Sequence, residues 1–131
     1  MDGKVLDELL LKERLIYVKL SEFEDLTRQL GEALDRRDEV SVQMLLNMRG
    51  EPANRMQEVD QQVRHRILEL PEDDAIRARE ILEGGEQQGP EESALCGQVL
   101  QNRRLLERCR TLDKQLSMRM GGPRSFYTKF R

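Results

Sequence analysis

The sequence predicts an all-α protein, an elongated antiparallel helical bundle or coiled-coil hairpin of three long helices and one short helix. Three observations carry that prediction. Apolar residues recur every three or four positions over long stretches, and β-branched runs are absent. Hydrophobic residues make up 37% and charged residues 36% of the chain, too polar for a thick core but suited to helices that each bury one stripe. Proline is scarce, at four residues, and glycine falls mostly at would-be boundaries. The 131 residues read as a single domain over 1–120 and a tail over 121–131.

The first helix is expected from Gly3 to Arg36. Its stripe reads Leu6, Leu9, Glu13, Ile16, Leu20, Phe23, Thr27, Leu30 and Leu34, apolar at seven of nine places. Gly31 weakens its last turns by about 1 kcal/mol relative to alanine. Arg36 and Arg37 suit the carbonyl end of a helix, and Asp38 is a good N-cap for the next. A tight turn over 35–38 makes the first two helices antiparallel neighbours.

The second helix is expected over Glu39 to Leu70, on a stripe of Val42, Leu45, Arg49, Pro52, Met56, Val59, Val63, Ile67 and Leu70. Pro52 removes one hydrogen bond and crowds the Met48 carbonyl. The pattern stays in register on both sides, so a kink or short break is expected there, not an end. Pro71 near the first helical position, followed by Glu72, Asp73 and Asp74, starts a short third helix. Ile76, Ala78, Ile81 and Leu82 form its apolar side, and Gly84-Gly85 stops it. Residues 84–90, GGEQQGP, read as a mobile linker.

The last helix, Glu91 to Met120, is the element on which a functional reading rests. Leu95, Val99, Asn102, Leu106, Cys109, Leu112, Leu116 and Met120 fall on one side, widened by Leu100 and Leu105. The helix is about 45 Å long at 1.5 Å per residue. From residue 101 to 131 nine Lys/Arg face two acids, a net +7. The chain total is −3, so residues 1–100 carry −10. A basic amphipathic helix on an acidic body has two readings. It packs against its own body, or, on a Gly-rich linker, it offers its stripe to a partner's helix. Asn102 either fixes register inside the stripe or borders solvent.

The composition excludes several chemistries. His65, between Arg64 and Arg66, is the only histidine and reads as an exposed helix residue. No Cys/His cluster suggests zinc, no Ser-His or Cys-His pairing suggests a nucleophile, and no glycine pair carries the lysine of a phosphate loop. The expectation is a non-enzyme without cofactor or metal. Cys96 and Cys109 lie about 20 Å apart along one helix, beyond disulfide reach, and read as core thiols. The acidic body opposes nucleic acid and anionic membrane, and no window approaches about 18 uncharged apolar residues, so no membrane insertion is expected. The first residues, MDGKVLDELLLKER, do not read as a secretory leader, so the expected location is cytoplasmic. The tail, PRSFYTKFR, holds Phe126, Tyr127 and Phe130 beside Arg and Lys. It reads either as an unstructured end or as a docking segment.

The layout resembles the FlgN-type flagellar export chaperones, the cytoplasmic chaperones of hook–filament junction proteins. The resemblance rests on a long first helix ending in EALDRRD and a second helix carrying MLLNMRGEP. It rests also on a short helix before a Gly-rich linker and on QNRRLLERCRTLDKQL in the last helix. Asn102, Leu105 and Leu106 are the most family-like residues. The tail differs from the family's usual Tyr-Gly ending, since Thr128 follows Tyr127. The resemblance implies a type III secretion chaperone that binds helical terminal segments of secreted flagellar substrates and delivers them to the export gate. It implies substrate contacts at Leu95, Val99, Asn102, Leu105, Leu106, Leu112 and Leu116, and contacts of Phe126 and Tyr127 with the export machinery. The competing reading is a structural coiled coil, in which the last helix's stripe pairs with itself as a homodimer or larger scaffold.

Overall fold

The computed structural model describes residues 1–120. It contains α1 (Gly3–Asp35), α2 (Glu39–Leu68), α3 (Glu72–Leu82) and α4 (Ser93–Arg119), with a single 3-10 turn, Pro90–Glu92, ahead of α4. The protein is thus an all-α bundle of three long helices and one short one. α1 begins where the Asp2 carboxylate accepts from the Lys4 backbone N–H at 3.0 Å, the usual N-cap arrangement.

The turn into α2 is as tight as the sequence suggests. The N–H of Arg37 donates to Leu34 O and that of Asp38 to Ala33 O, the paired bonds of a Schellman ending. That ending needs a left-handed residue, and here it is Arg37, at φ 55°. Asp38 then caps α2, accepting from Ser41 N at 3.1 Å and Ser41 Oγ at 2.6 Å. The same ending closes α3, with Gly84 at φ 92° and bonds from Gly84 N to Ile81 O and Gly85 N to Glu80 O. A Cβ on Gly85 would stand 2.8 Å from Glu80 O, so this second position also requires glycine.

α2 runs through Pro52 without a break, and Pro52 itself is buried. The proline leaves the Met48 carbonyl without its helical donor. Packing of Leu45, Ala53, Met56 and Val59 on both sides of it keeps the helix whole. α3 starts one residue later than expected, with Pro71 as its cap and three acids in its first turn. Ile76 is exposed there, and Ala75 takes its place in the core.

α1 and α2 are antiparallel, and α4 runs parallel to α1. Pairs down the seam fix that direction: Asn102 meets Glu13, Cys109 meets the Leu20 carbonyl, and Arg119 meets Asp35. The core is divided into three apolar sections along the long axis. The first joins Leu6 and Leu9 to Val63, Ile67, Ile81, Leu95 and Val99. The second joins Ile16, Leu20 and Phe23 to Met56, Val59, Leu105, Leu106 and Cys109. The third joins Leu30 and Ala33 to Leu45 and Leu116. α1 contributes to all three, so it is the strut on which α2 and α4 are both laid.

Residues 84–90, expected as a mobile linker, are instead tied down. Arg77 Nη2 donates to Glu86 O at 2.8 Å, and the Gln88 N–H donates to Glu92 Oε1 at 2.9 Å. The buried Glu92 carboxylate organises this loop from its far end. The cap at Arg37 gives a direct test of the turn. Arg37→Gly relieves a left-handed arginine and should raise stability by about 1 kcal/mol, read as a higher urea midpoint at unchanged slope.

Candidate functional site

The residues that the sequence singles out for binding lie on α4, and six of the seven are inside the bundle. Leu95, Val99, Asn102, Leu105, Leu106 and Leu116 are each buried, and together they hold α4 on the α1–α2 hairpin. They are not a surface for a partner while α4 is docked. The reason is the stripe itself: the hairpin leaves a complementary apolar side, and α4 is joined closely enough to fill it. Leu112 alone is half-exposed. It lines a shallow groove of about 510 Å³ between α1 and α4 with Arg28, Arg104, Arg108 and Thr111. Phe126 and Tyr127 lie outside the described residues.

The docked seam contains two polar layers that interrupt the three apolar sections. In the first, Asn102 Nδ2 donates to Glu13 O at 2.8 Å and to Glu13 Oε1 at 3.4 Å. Asn102 Oδ1 accepts from Gln98 Nε2 at 3.0 Å. Asn102 is therefore an interior residue that fixes register, not one that borders solvent. Glu13, a break in the α1 stripe, is its partner and is buried with it.

The second layer joins all three long helices. Arg49 Nη1 of α2 donates to Asp113 Oδ1 of α4 at 2.8 Å and to Thr27 Oγ1 of α1 at 3.2 Å. The Thr27 hydroxyl in turn donates to Phe23 O at 2.7 Å. The Arg49 guanidinium stands 4.9 Å from the centre of the Phe23 ring, a cation–π distance. Asp113 is fully buried, and both its Oδ2 and Arg49 Nε lack a hydrogen-bond partner. Sequence reasoning placed Arg49 and Thr27 on their stripes but missed Asp113, which displaces Leu112 from the inside of the last turns. A signal was present: Asp113 is one of only two acids among nine cations after residue 100.

The basic side of α4 is partly answered by α1. Arg108 Nε donates to Glu24 Oε2 at 3.1 Å, and Arg119 Nη2 to Asp35 Oδ1 at 2.7 Å. At its start α4 is anchored by the Arg77–Glu92 pair. Arg77 Nε donates to Glu92 Oε2 at 2.9 Å, and both side chains are largely buried. The Arg77 hydrogen bonds hold the Glu92 carboxyl well below the usual carboxylate range, at about 2, and push the guanidinium further up. Burial raises the Cys96 thiol.

The hairpin also has a second side, away from α4. Lys12 Nζ donates to Gln62 Oε1 at 2.7 Å, Lys19 pairs with Glu51 at 3.4 Å, and Arg66 Nε donates to Glu8 Oε2 at 2.7 Å. Leu11, Leu15 and Val18 of α1 and Val40, Met44 and Met48 of α2 stand on this side partly or largely exposed. His65 is exposed on it, 3.3 Å from Glu69. Among the described residues no group of His, Cys, Asp and Glu is placed to hold a metal ion, and no helix is long and apolar enough to cross a membrane. Comparison with known proteins gives no match, whether to family models, to characterised proteins or to solved structures.

Two measurements test the seam. Arg49→Met should cost about 3–5 kcal/mol, because it strands Asp113 in the interior. The double variant Arg49→Met, Asp113→Leu should recover most of that loss in the same urea titration. The second test uses acid. A depressed carboxylate stabilises the fold fully above its unfolded value, 4.5, and loses that contribution as pH falls toward about 2. Thermal melts of Glu92→Gln should therefore fall less steeply than those of the native chain between those two pH values.

Proposed function

We propose that this protein is a cytoplasmic chaperone that binds a helical segment of another protein, of the kind that serves flagellar type III export of hook–filament junction proteins. The observation that carries the reading is the way α4 is held. It lies on the hairpin as one more amphipathic helix, through a seam interrupted by the Asn102–Glu13 and Asp113–Arg49 layers. Buried polar layers weaken a helix seam relative to an all-apolar one while fixing its register. A partner's helix with its own apolar stripe exchanges with α4 at nearly equal buried area, since one stripe replaces another on the same surface. In this reading Leu95, Val99, Asn102, Leu105, Leu106, Leu112 and Leu116 contact the partner once α4 has left α1. The resemblance in layout to FlgN-type chaperones supplies the substrate class, and Phe126 and Tyr127 remain the residues proposed to touch the export gate.

The structural-scaffold reading takes its support from Leu11 and Val18, which stand exposed on α1 with the half-buried Leu15 between them. Calorimetric titration separates the two. The full chain is titrated with the purified C-terminal segment of a hook–filament junction protein from the same organism, with a flagellin segment as control. The expected result is one-to-one binding of the junction segment, no binding of the control, and altered hydrogen exchange along residues 95–116. Failure of the junction segment to bind, or binding with α4 exchange unaltered, removes the α4 mechanism. A stable homo-oligomer that excludes the segment favours the scaffold.

A further inference from the structure

The hairpin face that α4 covers is apolar except at the two polar layers, and each layer holds one charged residue of the hairpin itself. Arg49 stands on α2 between Leu45 of the third apolar section and Ala53 of the second, and it is 7% exposed with α4 in place. Asp113 of α4 is the only carboxylate at ion-pair distance from it among the described residues. The hairpin adds neutral contacts, the Thr27 hydroxyl at 3.2 Å and the Phe23 ring at 4.9 Å. Arg49 Nε has no hydrogen-bond partner even in the docked state, so the hairpin offers the guanidinium no further acceptor. Removal of α4 therefore bares a cation at one fixed point of an apolar surface. Covering that point again with a leucine would bury an unpaired charge, which costs more than burial of the leucine returns.

Glu13 governs the other layer. Its carbonyl and its Oε1 both face Asn102 Nδ2, at 2.8 and 3.4 Å. A side-chain amide donates to both of these oxygens, whereas a carboxylate in its place would meet two acceptors. Asn102 and Asp113 are eleven residues apart, about three turns, so both return to the same side of the helix. Order matters as much as spacing. A helix laid the other way round would set its carboxylate against Glu13 and its amide against Arg49.

We propose that this face selects a partner's helix by charge and by direction: it accepts an amphipathic helix that runs parallel to α1, with a carboxylate over Arg49 and a side-chain amide eleven residues earlier over Glu13. Selection of this kind rests on the exchange of α4 proposed above, and it adds the chemistry that the incoming helix must carry. A purely apolar stripe, however well it packs, is refused at Arg49. On either side of the carboxylate the second and third apolar sections take aliphatic residues at the places of Leu105, Leu106 and Leu116.

Synthetic peptides of residues 91–120 stand in for the partner, because the hairpin already holds that sequence. Three are labelled and titrated by fluorescence anisotropy into the full chain: the native sequence, Asp113→Leu, and the exchanged pair Asn102→Asp, Asp113→Asn, which keeps composition and charge but reverses the order. Each competes with the same α4, so the ratios of affinity report the seam alone. The native peptide should bind about a hundredfold tighter than either of the others. The full-chain double variant Arg49→Met, Asp113→Leu, in which no buried charge is stranded, should reverse the preference and bind the Asp113→Leu peptide about tenfold tighter than the native one. Equal affinity of the native chain for all three peptides removes the selection and leaves the exchange of α4 standing. A preference for the native peptide that survives in the double variant also overturns the proposal, because the peptide would then sit away from Arg49. No binding of any peptide to either chain removes the exchange itself and the selection with it. A dimer of the native chain in sedimentation that the native peptide dissolves overturns the proposal too, since the occupant would be α4 of a second copy.

Discussion

The buried contact among Arg49, Asp113 and Thr27 is the constraint on which the arrangement of the long helices depends. It takes one residue from each of α1, α2 and α4, and its register admits little slippage. Moving α4 by one turn would shift Asp113 by about 5.4 Å along the helix axis, break its contact with Arg49 and leave two charges in an apolar interior. An apolar seam alone tolerates such a shift far better, because leucines are interchangeable along it. The ion pair therefore selects one alignment from several that hydrophobic burial alone leaves close in energy. The unpaired Asp113 Oδ2 and Arg49 Nε show that this selection is made at a cost in stability.

The Asn102–Glu13 layer acts on the same helix about three turns away. Asn102 reads the backbone of α1 at Glu13, and its own oxygen is occupied by Gln98. With Arg77 and Glu92 anchoring the start of α4, three polar contacts govern where α4 sits. The apolar sections between them supply the adhesion, and the polar layers supply the alignment. A helix held in this way takes its position from the polar layers and its burial from the three apolar sections.

Most of the fold was legible because it rests on local chemistry. The period of the α1 stripe, the cap at Asp38, the stop at Gly84-Gly85 and the acidic start of α3 each announce a helix or its end within a few residues. The exceptions arise where distant residues decide. Glu13 and Thr27 look like interruptions of the α1 stripe until Asn102 and Arg49 arrive from 89 and 22 residues away. Asp113 replaces Leu112 on the inner side because Arg49 waits there, which no local pattern of α4 reveals. Residues 84–90 have the composition of a free linker, but Glu92 and Arg77 close around them. The α4 stripe was read correctly as apolar, and its period could not say whether a partner or the chain's own hairpin covers it. The exposed rows on α1 and α2 were overlooked because each is short and lies opposite a stronger stripe.

The parallel course of α1 and α4 bears on the order in which the chain acquires its structure. The polar contacts between α1 and α4 span 84 to 89 residues, whereas the hairpin closes across a short turn. Contacts of long separation form late, since the chain between them must first be ordered. During synthesis the hairpin is finished well before α4 leaves the ribosome, and for that interval both of its sides are bare. The nascent protein thus passes through a state in which Ile16, Leu20 and Phe23 face the same surroundings as Leu11 and Met44. Its own later helices, α3 and then α4, are the first ligands that the hairpin meets.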